Sequence, residues 1–199
     1  MPQNLILASA SSARRAIFSQ AGVEHSWQPA GIDENAIKEA GRAAGKPVDA
    51  VALELARAKA AKISKKNPQA YVIGADQMMI CDDRWMDKPA DLDEARSHLL
   101  FLRGKIHSLI SAASIWRHGR ECWHDSAVTH MGLRGFSDDF FDAYLADGGP
   151  EILESVGAYR LEGLGVQLFD RIDGDYFTIL GLPLLPLLAF LRREGMLPI

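Results

Sequence analysis

The sequence predicts an α/β fold, a mixed twisted sheet with flanking helices, and three observations carry that expectation. Residues 4–9 and 70–75 are short apolar runs with the length and composition of buried strands. Residues 48–66 are alanine-rich, with apolar positions recurring three and four apart, the period of a long amphipathic helix. Strand-like and helix-like segments then intermix to the end, with no internal repeat, low-complexity tract or linker between them.

Taken in order, the strand at 4–9 ends in small hydroxyl residues and feeds a helix capped by Ser11 or Ser12. Ile17, Phe18 and Ala21 share one face of that helix, and Gly22 stops it. In the helix at 48–66, Val51, Leu55, Ala58 and Lys62 recur along the chain, and Pro68 lies just beyond it. The strand at 70–75 delivers Asp76 at its carboxyl end, where α/β folds place chemistry. Asp91 and Glu94 form a capping box for a helix whose stripe of Ala95, Leu99 and Leu102 stops at Gly104. Residues 106–116 and 122–131 flank a polar turn at 117–120 and are expected to pair antiparallel. Ser137 caps a helix running to about Ala146, Gly149 and Pro150 make a turn, residues 165–172 form a strand, and residues 183–194 close the fold as a helix.

At 199 residues and 48% hydrophobic content, the chain can bury one substantial core, as a single domain over 1–199 or as two lobes sharing a cleft. A formal charge of −4 argues against a non-specific nucleic-acid binder, so any polyanion has to be met by local cations. Cys81 and Cys122 are far apart and outside any C-x-x-C spacing, which points away from a disulfide framework and towards a reducing compartment. Residues 1–10 lack the basic region of a signal peptide. The apolar stretch 179–191 is interrupted by Pro183 and Pro186 and is too short to span a bilayer, so a cytoplasmic protein without a membrane partner is expected.

The first candidate for chemistry is the segment 7–15, where Ser9, Ser11, Ser12, Arg14 and Arg15 surround a helix amino terminus. Free backbone N–H groups, the helix dipole and guanidinium groups all favour phosphate, although a serine-capped helix with solvated arginines has the same composition. The second is Asp76 beside Gly74 and Ala75: it can orient a metal or draw a proton from water, or merely cap a turn. A third group, Asp33 with Glu34, Lys59 and Lys88, reads singly as surface charge. Together these supply a carboxylate for a divalent cation and two ammonium groups for phosphate oxygens. His118, Cys122 and His124 fall at the expected hairpin without a fourth ligand at metal-site spacing. Asp138, Asp139 and Asp142 read as the negative first turn of a helix, and Trp116 and Trp123 as residues packed on the sheet.

These motifs form an ordered series. Leu7, Ala8, Ser9, Ser11, Arg14 and Arg15 are followed by Ile32-Asp33-Glu34, Ala58-Lys59, Ile73-Gly74-Ala75-Asp76 and Lys88-Pro89. Then come Leu102, Gly104, Lys105 and His107, Gly157-Ala158-Tyr159, Gly163-Leu164-Gly165, Gly174-Asp175-Tyr176 and Gly181-Leu182-Pro183-Leu184. The series resembles the Maf family over essentially the whole chain. The resemblance implies an inosine triphosphate pyrophosphatase-like α/β fold of two lobes around a cleft, and a homodimer. It also implies hydrolysis between the α- and β-phosphates of a nucleoside triphosphate with a divalent metal, Mg²⁺ or Mn²⁺. On matching positions, Asp76 would be the general base, Ser9, Arg14, Lys59 and Lys88 would hold the triphosphate, and Glu34 would help bind the metal.

For the base, Gln77 and Glu162 stand where the pyrimidine-cleaving branch usually has Thr and Gln, and the combination resembles the branch acting on 7-methyl-GTP. A carboxylate can accept two hydrogen bonds from the N1–H and amine of guanine, an edge that uracil and thymine lack. If Glu162 were buried without such a partner, its desolvation would be costly. Ala13 replaces the bulky aromatic residue common in that branch, and Ser12 replaces the usual Pro of the first motif. The rival expectations are a dTTP/UTP pyrophosphatase of the same family, a non-catalytic nucleotide-binding regulator of septum formation, and a scaffold without metal-dependent nucleotide affinity.

Overall fold

Alternation of side chains across one open sheet accounts for most of the apolar pattern. The computed structural model describes residues 4–198, so residues 1–3 of the expected structured start lie outside it. Strand β1 (Leu5–Leu7) runs parallel both to β2 (Ser26–Trp27) and to β3 (Tyr71–Cys81), with Leu5 opposite Tyr71 and Leu7 opposite Ile73. The sheet continues through β5 (Ile106–Arg117) and β6 (Arg120–Leu133) to β7 (Phe169–Asp173), in the order β2-β1-β3-β5-β6-β7. Strand β4 (Arg84–Met86) folds back antiparallel onto the end of β3, and β7 pairs antiparallel with β6. No helix among the described residues is long and apolar enough to cross a membrane.

Two compact units share the chain. The first takes in the described residues up to Gln77, Ile110–Ala127 and the described residues from Tyr176 onward. Successive strand residues face opposite sides there. Leu5, Leu7, Tyr71, Ile73, Ala113 and Ile115 pack with Ile17 and Phe18 of α1 (Ser12–Gln20) and with Leu187, Phe190 and Leu191 of α7 (Leu184–Arg193). Ile6, Ala8, Ala70 and Val72 face Ala60 and Ile63 of α3 (Val48–Ser64). Trp123 packs against the first cluster and Trp116 against the second, as expected of both. Burying each such Leu or Ile contributes roughly 1.5–3 kcal/mol, so both faces have to be covered for the sheet to persist.

α3 approaches β3 closely because position 74 has no side chain. A Cβ on Gly74 would fall 2.0 Å from the Ala56 carbonyl oxygen and 2.6 Å from the Ala60 nitrogen, both backbone atoms that cannot rotate aside. Gly74→Ala is therefore expected to push α3 off the sheet at a cost of about 3 kcal/mol or more. Thermal unfolding should show a drop of roughly 6–12 °C for a chain of this size. A melting temperature unchanged from wild type would disprove the close approach.

The second unit comprises Met78–Leu109 and Val128–Asp175. It holds the β3–β4 hairpin, α4 (Leu92–Leu102), α5 (Asp138–Gly148), β7 and two 3₁₀ segments, Gly149–Glu154 and Leu164–Leu168. Caps fall where the sequence places them. The Asp91 carboxylate accepts from the Glu94 N–H at 2.8 Å, Ser137 accepts from Phe140 N–H at 3.2 Å, and in the first unit Ser11 accepts from Arg14 N–H at 3.4 Å. Asp138 and Asp139 occupy the first turn of α5.

Several expectations are corrected. Strand β3 does not stop at residue 75 but runs on to Cys81, because the apolar run resumes at Met78 after two polar residues; Asp76 thus sits mid-strand. The expected turn at Gly149 and Pro150 is a 3₁₀ helix, which Pro at its start suits, and of the strand expected at 165–172 only residues 169–172 are extended, in a strand that runs on to Asp173. The turn expected at 117–120 shrinks to His118 and Gly119, both left-handed with φ of 52° and 72°, as a two-residue hairpin loop requires. The short β2, β4 and α6 (Tyr176–Ile179), and the helix α2 (Glu34–Ala43), were not foreseen. α2 is capped by Asp33, whose carboxylate accepts from Ala36 N–H, and its apolar stripe is small, Ala36, Ile37, Ala40 and Gly41, of which Gly41 is buried.

Candidate active site

The first unit gathers four buried polar side chains. Ser9 follows β1, Arg14 lies in the first turns of α1, Lys59 faces inward from α3 and Asp76 from β3; each is at most 8% exposed. Burial of that kind is tolerated only when the groups satisfy one another. Arg14 Nε donates to the Gly181 carbonyl at 2.9 Å, and its Nη1 donates to the Ala75 carbonyl at 3.1 Å and to Ser9 Oγ at 3.3 Å. The guanidinium is thereby anchored to β3 at the residue before Asp76. Ser9 Oγ also accepts from the Ser11 N–H at 3.2 Å, which fixes the loop leading into α1.

Lys59 joins two carboxylates. Its Nζ lies 2.6 Å from Asp76 Oδ1 and 2.8 Å from Glu34 Oε1. The close packing of α3 on β3 across Gly74 makes the first contact possible, and α2 supplies the second from its opening residue, where the helix dipole favours an anion. Burial works to raise the Glu34 pKa, but the charge and hydrogen bond of Lys59, with help from Lys38 and Arg14, hold it below the usual glutamate value. Burial lowers the Arg14 pKa, and the carboxylates of Asp76 and Glu34 oppose that fall. Two cations and two carboxylates balance, so the cluster is stable without a ligand and can still offer each group to one.

The donor set is made of hard oxygen atoms. Among the described residues no three His, Cys, Asp or Glu side chains are arranged to enclose a metal ion. Glu34 and Asp76, held on one ammonium group, match the needs of an ion such as Mg²⁺, which binds through one or two carboxylates, water and substrate phosphate.

Of the residues singled out by the sequence, Ser9, Arg14, Glu34, Lys59 and Asp76 come together in this unit. Ala13 is half-buried on α1. Gln77 is held by its amide Nε2, which donates to the carbonyls of Thr178 and Ile179 at 2.9 and 3.0 Å and to Ser111 Oγ at 3.0 Å. Lys88 and Glu162 belong to the second unit and both are exposed. The exposure of Glu162 corrects the premise of a buried carboxylate: it lies in the short stretch after Tyr159, lining a surface hollow of about 430 Å³ with Tyr144, Asp147, Glu151 and Arg160. Its free carboxylate therefore carries little desolvation cost before a ligand arrives.

Sequence reasoning missed the backbone carbonyls of Thr178, Ile179 and Gly181 that anchor Gln77 and Arg14, and the cation–π contact of Arg15 over the Trp27 ring at 4.2 Å. The Gly181-Leu182-Pro183 motif was the available sign of the former. Gly181 is left-handed, with φ of 101°, and a Cβ there would meet Arg14 Nε at 3.0 Å.

Comparison with known proteins agrees with the geometry. The model of the family described as Maf-like protein matches residues 4–194. The chain is 48% identical over 195 residues to a protein of Granulibacter bethesdensis named nucleoside triphosphate pyrophosphatase, spanning 98% of this chain and 99% of the relative. It is 49% identical over 191 residues to a protein of Rhizobium meliloti named 7-methyl-GTP pyrophosphatase, spanning 96% of each. A protein of Brucella abortus with the same name as the latter is 46% identical over 194 residues, spanning 98% of each. With its motifs in order, a buried Arg–Lys–carboxylate cluster behind them and relatives alike from end to end, this chain belongs to the Maf family.

Proposed function

We propose that the chain, a single Maf-type domain, hydrolyses the α–β anhydride of a nucleoside triphosphate to a monophosphate and pyrophosphate, with 7-methyl-GTP as the favoured substrate. The observation that carries this is the shared ammonium of Lys59 between Asp76 and Glu34 beside the anchored Arg14. Water attacks the α-phosphorus, the bond to the bridging oxygen breaks, and Asp76 takes the water's proton. Arg14, with Nε and Nη1 on protein acceptors, lends its fixed positive charge to the phosphate chain, while Ser9, Lys59 and Lys88 add donors along it. Glu34, with Asp76, would hold Mg²⁺ or Mn²⁺, and the chemistry such an ion would supply is neutralisation of the charge on the leaving pyrophosphate. Glu162 accepts from the guanine edge, and Gln77 and Ala13 complete the base preference.

The protein is read as cytoplasmic and homodimeric, following the family resemblance; free Cys81 and Cys122 suit a reducing compartment. A screen of pyrophosphate release across GTP, 7-methyl-GTP, UTP and dTTP, with and without Mg²⁺ or Mn²⁺, tests the assignment. Release is expected only with metal, fastest from 7-methyl-GTP, and Glu162→Gln should lower that preference by about tenfold or more in kcat/KM. Absence of release from every nucleotide would favour a binding-only protein, and a Glu162→Gln profile identical to wild type would remove Glu162 from base recognition.

A further inference from the structure

The second unit contains a buried polar pair that the phosphate chemistry does not use. His107 on β5 is 1% exposed and Tyr159 is 3% exposed, and His107 Nε2 lies 2.6 Å from the Tyr159 hydroxyl. That hydroxyl also reaches Met131 Sδ at 3.6 Å. His107 Nδ1 is buried without a hydrogen-bond partner, so an apolar residue of similar size would fill the space at lower cost. What the histidine adds is its bond to Tyr159. Burial drives the His107 pKa down to about 4, so the ring is neutral at physiological pH and the pair is a fixed hydrogen bond rather than a charge.

Tyr159 is the root of the segment that carries Glu162. Its ring packs edge-on against Phe169 at 4.8 Å between centroids and lies 5.7 Å from the His107 ring. The chain folds tightly over it. A Cβ on Gly157 would fall 2.1 Å from Tyr159 Cε1, Ala158 is left-handed with φ of 55°, and the Tyr144 hydroxyl donates to the Ala158 carbonyl at 3.2 Å. On the far side of Glu162, a Cβ on Gly165 would fall 2.4 Å from the Arg160 carbonyl oxygen, so the stretch closes back on itself. Glu162 is thus an exposed carboxylate on a short loop, and the buried hydroxyl of Tyr159 fixes the start of that loop.

We infer that His107 and Tyr159 are positioning residues for nucleobase discrimination, holding the 157–165 loop in the conformation that presents Glu162. This rests on the assignment of Glu162 to the base. Tyr159→Phe keeps the ring packing and removes only the hydroxyl. It is expected to raise KM for 7-methyl-GTP about tenfold, to change KM for UTP and dTTP little, and to leave kcat within about threefold. His107→Leu should act like Tyr159→Phe, whereas His107→Gln, whose amide can still reach the hydroxyl, should restore much of the preference. Steady-state kinetics with the four nucleotides, beside Glu162→Gln, separate the outcomes. If Glu162→Gln alters the preference while Tyr159→Phe and His107→Leu do not, the positioning role is overturned and the base assignment stands. A loss of thermal stability with a uniform fall in kcat for every nucleotide, and no rescue by His107→Gln, overturns it too, since that is a structural role alone. If Glu162→Gln is itself silent, the base assignment fails and the positioning role fails with it.

Discussion

Asp76→Asn is expected to lower turnover by about a thousandfold or more while nucleotide affinity stays within about threefold. The substitution is nearly isosteric, and the amide oxygen can still accept the hydrogen bond from Lys59 Nζ that Asp76 Oδ1 accepts at 2.6 Å. Arg14 keeps its hydrogen bonds, since their acceptors are backbone carbonyls and Ser9, and loses only the charge interaction with Asp76. What is lost is the capacity to take a proton from water and one negative oxygen of the donor set. Binding can be followed by calorimetry with a non-hydrolysable triphosphate, and turnover by pyrophosphate release at saturating nucleotide and metal. Activity above about a tenth of wild type would show that another group serves as base.

How much of this was legible in the sequence depended on the range of the interaction. Residues 48–66 announced a helix because an amphipathic period repeats along it, and Ser11, Asp91 and Ser137 announced caps because the capped N–H is three residues away. α2 was missed because its apolar face is made of Ala36, Ala40 and Gly41 around one large residue, Ile37, a stripe too small to stand out in the sequence. Asp76 was singled out from the sequence and lies in the buried cluster, but it was wrongly placed at a strand end, since a polar pair, Asp76 and Gln77, looks like a boundary when its partners are unknown. Those partners lie 17 to 102 residues away in sequence, at Lys59, Ser111, Thr178 and Ile179, and no local pattern records them. The ordered motif series supplied that non-local information for Arg14, Lys59 and Glu34. It supplied none for the solvent exposure of Glu162, which is set by how the 157–165 loop closes.

Lys59→Met should cost about 3 kcal/mol of stability at neutral pH, besides abolishing most activity. Removing one member of a buried ion pair typically costs about 3–5 kcal/mol, because the remaining charge stays buried without its partner. The lower end applies since Glu34 keeps much of its side chain in water while that of Asp76 is 7% exposed. For a chain of this size, a fall of roughly 6–12 °C in melting temperature follows. The pH dependence identifies the cause. In the wild-type protein Lys59 holds the folded-state pKa of Glu34 below 4.5, so the contribution is complete above that value and is lost as pH falls through the depressed one. Without Lys59, burial acts on Glu34 in the opposite direction, so the gap in stability between wild type and variant should be widest near pH 7 and narrow in acid. Adding Asp76→Asn to Lys59→Met removes the stranded charge and should recover part of the lost stability, a non-additivity expected only if the two groups are direct partners. A gap that stays constant from pH 7 to 4, or a double variant whose losses simply add, would mean that the cluster is held by packing rather than by charge.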